Sequence, residues 1–278
     1  MKKIIAAFDG LKYSESTRDY AIDIAKLSGA HLIGVFMDDF TYSSFKVYEL
    51  ITNEGISESK LKKLQQQDKA TRDAAAANFV TTCSHAGISF SIHHDNKIAL
   101  KELNHESIYA DLLIIDARET LTHYTEKLPT RFIRDLLSDV QCPVLVVPPR
   151  YIPFQRVVLL YDGEPSSVQA VKMFSYLLPK LKQLDTESIT INPLNSSLHI
   201  PDNKLMKELM KRHYPDAKIK VSKGQAEEEI IKYLKPEKGN VLVVLGAYRR
   251  GTVSRWFRTS MADKLMKELK LPLFIAHN

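Results

Sequence analysis

The chemistry most legible in the chain is anion binding. An apolar run over residues 241–245 ends at Gly246, and the stretch beyond it carries Arg249, Arg250, Gly251, Arg255, Arg258, Thr259 and Ser260. Guanidinium groups form bidentate bonds with phosphate, glycine lets backbone amides approach a ligand, and a hydroxyl donates to an anion. A second signal occurs twice: Asp9-Gly10 and Asp162-Gly163 each close an apolar run. Such an aspartate ties down its own turn or meets a ligand. The turn is the expected role of Asp9, and the two roles stand level for Asp162.

Other candidates carry less. His93 and His94 are adjacent, so on a strand they face opposite ways and do not share a metal. Cys83 and Cys142 lack metal-type spacing and read as reduced packing thiols. Trp256 and Phe257 beside the arginines suit stacking on nucleic acid, but an aromatic pair at a helix entry more often packs, so nucleic acid is disfavoured. Ser260 with Asp263 also fits a capping-box-like helix start. No nucleophile and base are arranged for catalysis, so catalytic and metal sites are both expected to be absent.

Positioning these residues takes strands that end in the loops and helices that follow them. Runs that are mainly apolar without alternating, at residues 2–8, 31–37, 112–115 and 143–147, suit parallel strands covered on both faces; residues 88–94 alternate. Helix-period stretches at 13–28, 68–85, 99–109 and 130–140 lie between them. Residues 38–64 break the pattern and read as an inserted loop or lid with room for a short helix, and Tyr42, Phe45 and Tyr48 are suited to covering a pocket or packing on the sheet. Pro148, Pro149 and Pro153 mark a stiff, poorly structured junction. The order then restarts: strands at 157–161, 188–192, 218–221, 241–245 and 273–276, with helices after Asp162-Gly163, near 203–212 and at 226–234. Glu227 to Glu229 open the last of these, where negative charge favours the helix dipole.

The chain is therefore a tandem duplication of an α/β unit. A constant offset of 129 aligns Pro143 with Pro272, Leu136 with Leu265, and Ile114-Ile115 with Val243-Val244. The expected domains are 1–150 and 151–278, each with a five-stranded parallel sheet. With 278 residues, 44% hydrophobic and 26% charged, both halves are large enough to bury a core. No apolar stretch reaches a membrane span, and Asp9 cuts short the apolar start, so a cytoplasmic location is expected. Residues 1–150 hold 18 Lys and Arg against 20 Asp and Glu; residues 151–278 hold 21 against 13. The halves thus carry −2 and +8, which make up the chain's net +6.

FDG at Phe8 to Gly10, YDG at Tyr161 to Gly163, CPVLVV at Cys142 to Val147 and LGAYRRG at Leu245 to Gly251, in this order and duplicated, resemble the universal stress protein family over essentially the whole chain. The resemblance implies the adenine-nucleotide-binding α/β fold of that family, with the halves packed as an internal pseudo-dimer through their last strands. ATP-binding members carry G-x2-G-x9-G-[ST] after the fourth strand. Here the second half holds Gly246, Arg249, Thr259 and Ser260 at those positions, matching the first and last; the first half holds Ala117, Thr120, Thr130 and Arg131. Asp116, Glu119 and Glu126 make the first loop repel phosphate, whereas Arg249 and Arg250 attract it.

The resemblance implies a stress-response binding or signalling module, non-enzymatic, with at most one degenerate adenine-nucleotide or anion site. That site would comprise Asp162, Gly246, Arg249, Arg250, Gly251, Thr259 and Ser260, holding ATP with magnesium or another phosphorylated small molecule. Two alternatives stand beside it: slow ATP hydrolysis at Asp162, Gly246, Gly251 and Ser260, or a ligand-free scaffold for protein partners or self-association.

Overall fold

The computed structural model describes residues 1–37, 58–95, 99–122, 124–235, 239–246 and 261–276. The first half runs β1 (Lys3–Asp9), α1 (Glu15–Ser28), β2 (His31–Met37), α2 (Glu58–Ala86), β3 (Phe90–Asp95), α3 (Ala99–Ser107), β4 (Leu112–Asp116), α4 (Arg131–Asp139) and β5 (Val144–Val147). The second repeats it with β6 (Arg156–Leu160), α5 (Pro165–Leu177), β7 (Asp185–Asn192), α6 (Asn203–His213), β8 (Lys218–Lys223), α7 (Ala226–Leu234), β9 (Val241–Gly246), α8 (Met261–Glu268) and β10 (Leu273–Ala276).

All ten strands form one sheet, ordered β3-β2-β1-β4-β5-β10-β9-β6-β7-β8. Within each half the strands are parallel, and the halves meet where β5 pairs antiparallel with β10. The last strands thus join the halves, as the resemblance implied. Unbroken apolar runs become strands covered on both faces. Ile4, Ala6 and Phe8 enter one core layer and Ile5 and Ala7 the other, all nearly fully buried. Burying each such large aliphatic or aromatic side chain contributes about 1.5–3 kcal/mol.

Helix entries follow local chemistry. Ser14 accepts a hydrogen bond from the Thr17 amide at 3.2 Å and caps α1; Thr130 does the same for α4 through the Ile133 amide. One reading of the sequence needs correction. Residues 58–64 belong to α2 rather than to the inserted loop, because their Lys, Leu and Glu are good helix formers that lack an apolar stripe. Residues 38–57, with Tyr42, Phe45 and Tyr48, lie outside the described residues.

The proline-rich junction has no helix or strand, yet it is fixed against α1. The Ser16 hydroxyl donates to the Pro148 carbonyl at 2.6 Å, Phe154 stacks on Tyr20 at 5.2 Å, and Tyr151 meets Tyr20 edge-on at 4.7 Å. Asn240 donates from Nδ2 to the Tyr20 hydroxyl at 2.9 Å and to the Ile152 carbonyl at 2.6 Å. Cys83 and Cys142 are free, buried thiols. Among the described residues no helix is long and apolar enough to cross a membrane.

Candidate functional site

In each half the chain leaves the first strand toward one side of the sheet and returns with the fourth strand on its other side. The carboxyl ends of β1 and β4, and of β6 and β9, therefore flank the crevices where open parallel sheets hold ligands. The duplication supplies two such crevices. They are built from different side chains.

The first crevice is crowded with carboxyls. Asp9, 1% exposed, ends β1 and accepts the Leu11 amide at 2.8 Å, the turn role expected of it. Asp116 ends β4; its Oδ2 accepts from the Ser14 hydroxyl at 2.8 Å and the Arg118 guanidinium at 2.9 Å, and its Oδ1 accepts the Arg118 amide at 2.8 Å. Glu119, 7% exposed, accepts the Thr120 and Leu121 amides on one oxygen, each at 2.9 Å. Burial, then the nearby Asp9 carboxylate, push the Glu119 carboxyl up to about 8 against the pull of those two amides.

The loop over this crevice is tied down at several points. The Thr130 hydroxyl donates to the Glu119 carbonyl, the Lys12 ammonium to the Thr122 carbonyl, and the Arg131 amide to Glu126 Oε2 at 2.7 Å. A cavity of about 260 Å³ remains between Lys12, Arg118, Tyr124 and the acidic groups. Of the acidic residues read from the sequence, Asp116 and Glu119 line the crevice as buried groups and Glu126 is exposed. Sequence reasoning missed Ser14, Arg118 and Lys12, whose roles depend on loops closing over one another. Their residue types carry no advance signal.

The second crevice is assembled from fewer described groups. Asp162 is exposed, and its Oδ1 accepts the Glu164 amide at 2.9 Å. Gly246 ends the neighbouring β9, so the structure brings these two predicted site residues to the same end of adjacent strands. A Cβ on Gly246 would lie 2.3–2.6 Å from backbone atoms of Ser166 and Ser167 at the start of α5. The glycine thus lets this chain's own helix approach the strand end. Arg249, Arg250, Gly251, Thr259 and Ser260 lie outside the described residues, as do Arg255, Trp256, Phe257 and Arg258.

The adjacent histidines part as expected. His93 bonds Glu106 on α3, and His94 stacks against Phe36 at 5.7 Å.

Comparison with known proteins places this architecture. A family model described as the universal stress protein family matches residues 1–148. No curated protein matches the chain in sequence. A universal stress protein from Archaeoglobus fulgidus DSM 4304 is similar in structure, with TM-score 0.73 and 14% identity, covering 99% of this chain and 98% of that one. A suggested universal stress protein from Pseudomonas aeruginosa UCBPP-PA14 gives TM-score 0.64 at 12% identity, covering 100% and 93%. The cytoplasmic domain of a prokaryotic cation chloride cotransporter gives 0.53 at 11%, covering 99% and 94%. At these identities the structural likenesses concern the fold.

Proposed function

Since the chain belongs to the universal stress protein family, we propose that it is a cytoplasmic, non-enzymatic stress-response module that binds one adenine nucleotide or similar phosphorylated molecule, in its second half. The contrast between the two crevices carries this reading. The first is filled by three buried carboxyls: Asp9 and Asp116, which oppose a phosphate, and Glu119, whose raised pKa keeps it mostly protonated near neutral pH. The second presents the exposed Asp162 beside Gly246, and Asp162 Oδ2 makes no hydrogen bond among the described residues. Asp162 is suited to accept from a ribose hydroxyl.

Arg249 and Arg250 stand three and four residues after Gly246 in sequence and supply charge for the phosphates. In this reading guanidinium forks stand in for the backbone amides that a glycine-rich loop would offer. ATP would bring magnesium with it; the residues given this role are Asp162, Gly246, Arg249, Arg250, Gly251, Thr259 and Ser260.

The test is an equilibrium titration of nucleotide-stripped protein with ATP and magnesium, repeated on the Arg249→Glu, Arg250→Glu double variant. The reading expects the double variant to lose at least about a factor of ten in affinity. Equal affinities would overturn the arginine role.

A further inference from the structure

A second cavity, of about 330 Å³, lies on the opposite flank of the second half, where β7, the edge strand β8 and α7 meet. It is lined by Ile189 and Ile191 of β7, Lys220 and Ser222 of β8, and Glu229, Lys232 and Tyr233 of α7, so two ammonium groups and one carboxylate share the lining. The cleft exists because α7 packs over β7, burying Ile230 and Leu234, while β8 stays exposed along much of its length.

The duplication shows what is unusual here. Ala7, Val35 and His93 pair in a row across β1, β2 and β3, and Leu160, Ile189 and Lys220 pair in the same way across β6, β7 and β8. Ala7 and Leu160 each stand two residues before an Asp-Gly, so Lys220 is the counterpart of His93. Glu106 and Tyr233 are each the penultimate residue of a nine-residue helix.

In the first half Glu106 takes up both neighbouring basic groups, His93 at 2.5 Å and Lys3 at 3.3 Å. In the second, a phenol replaces that carboxylate. Arg156, the counterpart of Lys3, turns to Glu187 at 2.6 Å, and the Tyr233 hydroxyl joins the same pair. Lys220 is left over the Tyr233 ring, 4.1 Å from its centroid, with no carboxylate partner among the described residues. The ring holds the ammonium in place without neutralising it.

We propose that this cleft binds a small organic anion, a carboxylate or phosphate ester, whose charged head is held by Lys220, Lys232 and the Ser222 hydroxyl. Its apolar body rests on Ile189 and Ile191. The cavity is at the lower end of the range for small-molecule sites, which restricts the body to about the size of one ring. Pre-positioning Lys220 on Tyr233 lowers the entropy lost on binding. The site is separate from the Asp162 crevice and does not depend on the function proposed there.

The experiment is an amide NMR titration of the full chain with phenyl phosphate, with benzoate and inorganic phosphate as parallel arms. The proposal expects saturable shifts at Lys220, Ser222 and Lys232 from phenyl phosphate or benzoate, and weaker ones from inorganic phosphate, which lacks the apolar body. Whichever aryl anion binds more tightly identifies the preferred head. Lys220→Glu should raise the dissociation constant at least about tenfold, and Lys232→Glu likewise. Both lysines are exposed, so dispersed spectra of the variants will confirm folding. Absence of saturable shifts at these residues would overturn the proposal, as would unchanged affinity in Lys220→Glu. Shifts confined to Asp162 and Gly246 would also overturn it, while supporting the crevice reading.

Discussion

Leu145 and Phe274 face each other across the antiparallel pairing of β5 with β10, and they are the same position of the two halves, 129 residues apart. A pseudo-two-fold axis therefore passes between them. Arg134 and Asp263 share that offset and form an ion pair at 3.7 Å. In a symmetric pair of identical units, positions next to the axis, such as these, would face their own kind. Here the duplicated positions have diverged into opposite charges, which favours pairing one half with the other.

Reversing one member of this pair tests the divergence. Asp263 is nearly buried and Arg134 half exposed, so screening moderates their interaction. Asp263→Arg should cost about 1–2 kcal/mol in denaturant unfolding, and adding Arg134→Asp should recover most of it. Additive losses would contradict the pairing.

Glu119 sets a pH dependence. Its carboxyl is raised to about 8 in the folded protein, first by burial and then by Asp9, above the ordinary value of an unfolded glutamate. The folded state thus binds this proton more tightly than the unfolded state. Its contribution is complete below the unfolded value, near 4.5, and is lost as pH rises through about 8. Urea midpoints should therefore fall between those limits, and Glu119→Gln should flatten that fall while keeping an acceptor for the Thr120 and Leu121 amides. Parallel curves for the two proteins would contradict the assignment.

Gly246→Ala should destabilise the second half whether or not ligand is bound, because its Cβ meets the backbone of Ser166 and Ser167 rather than a movable side chain. A loss of roughly 1–3 kcal/mol is expected from thermal or denaturant unfolding. An unchanged midpoint would show that α5 can shift at little cost.

Tyr20→Phe should loosen the junction between the halves. It removes the hydroxyl that accepts from Asn240, leaving a buried donor with one bond fewer, for a cost of about 1–2 kcal/mol. Proteolysis between Val147 and Arg156 should accelerate in this variant; unchanged cleavage would count against a Tyr20 hold on the junction.

The repeat was legible because strand runs such as residues 241–245 and the motifs Asp9-Gly10 and Asp162-Gly163 depend on local pattern alone. Joining through the last strands entered by family resemblance, since no residue type encodes it, and the antiparallel sense of the β5–β10 pairing came only from the structure. The start of α2 was lost because its polar residues lack an amphipathic stripe. Loop charge was readable at Asp116 and Glu119, but their burial was not: it arises when Ser14, Lys12 and Thr130, distant in sequence, close on one crevice. The position of Lys220 over Tyr233 was hidden for the same reason, as it takes strand register and a helix to bring them together.

The most direct measurement is the stoichiometry of a calorimetric titration of the nucleotide-stripped chain with ATP and magnesium, paired with Asp162→Ala. One saturable site per chain, weakened by Asp162→Ala, is the predicted result. Two sites per chain, a single site indifferent to Asp162→Ala, or no heat at millimolar ATP would contradict a nucleotide site confined to the second half.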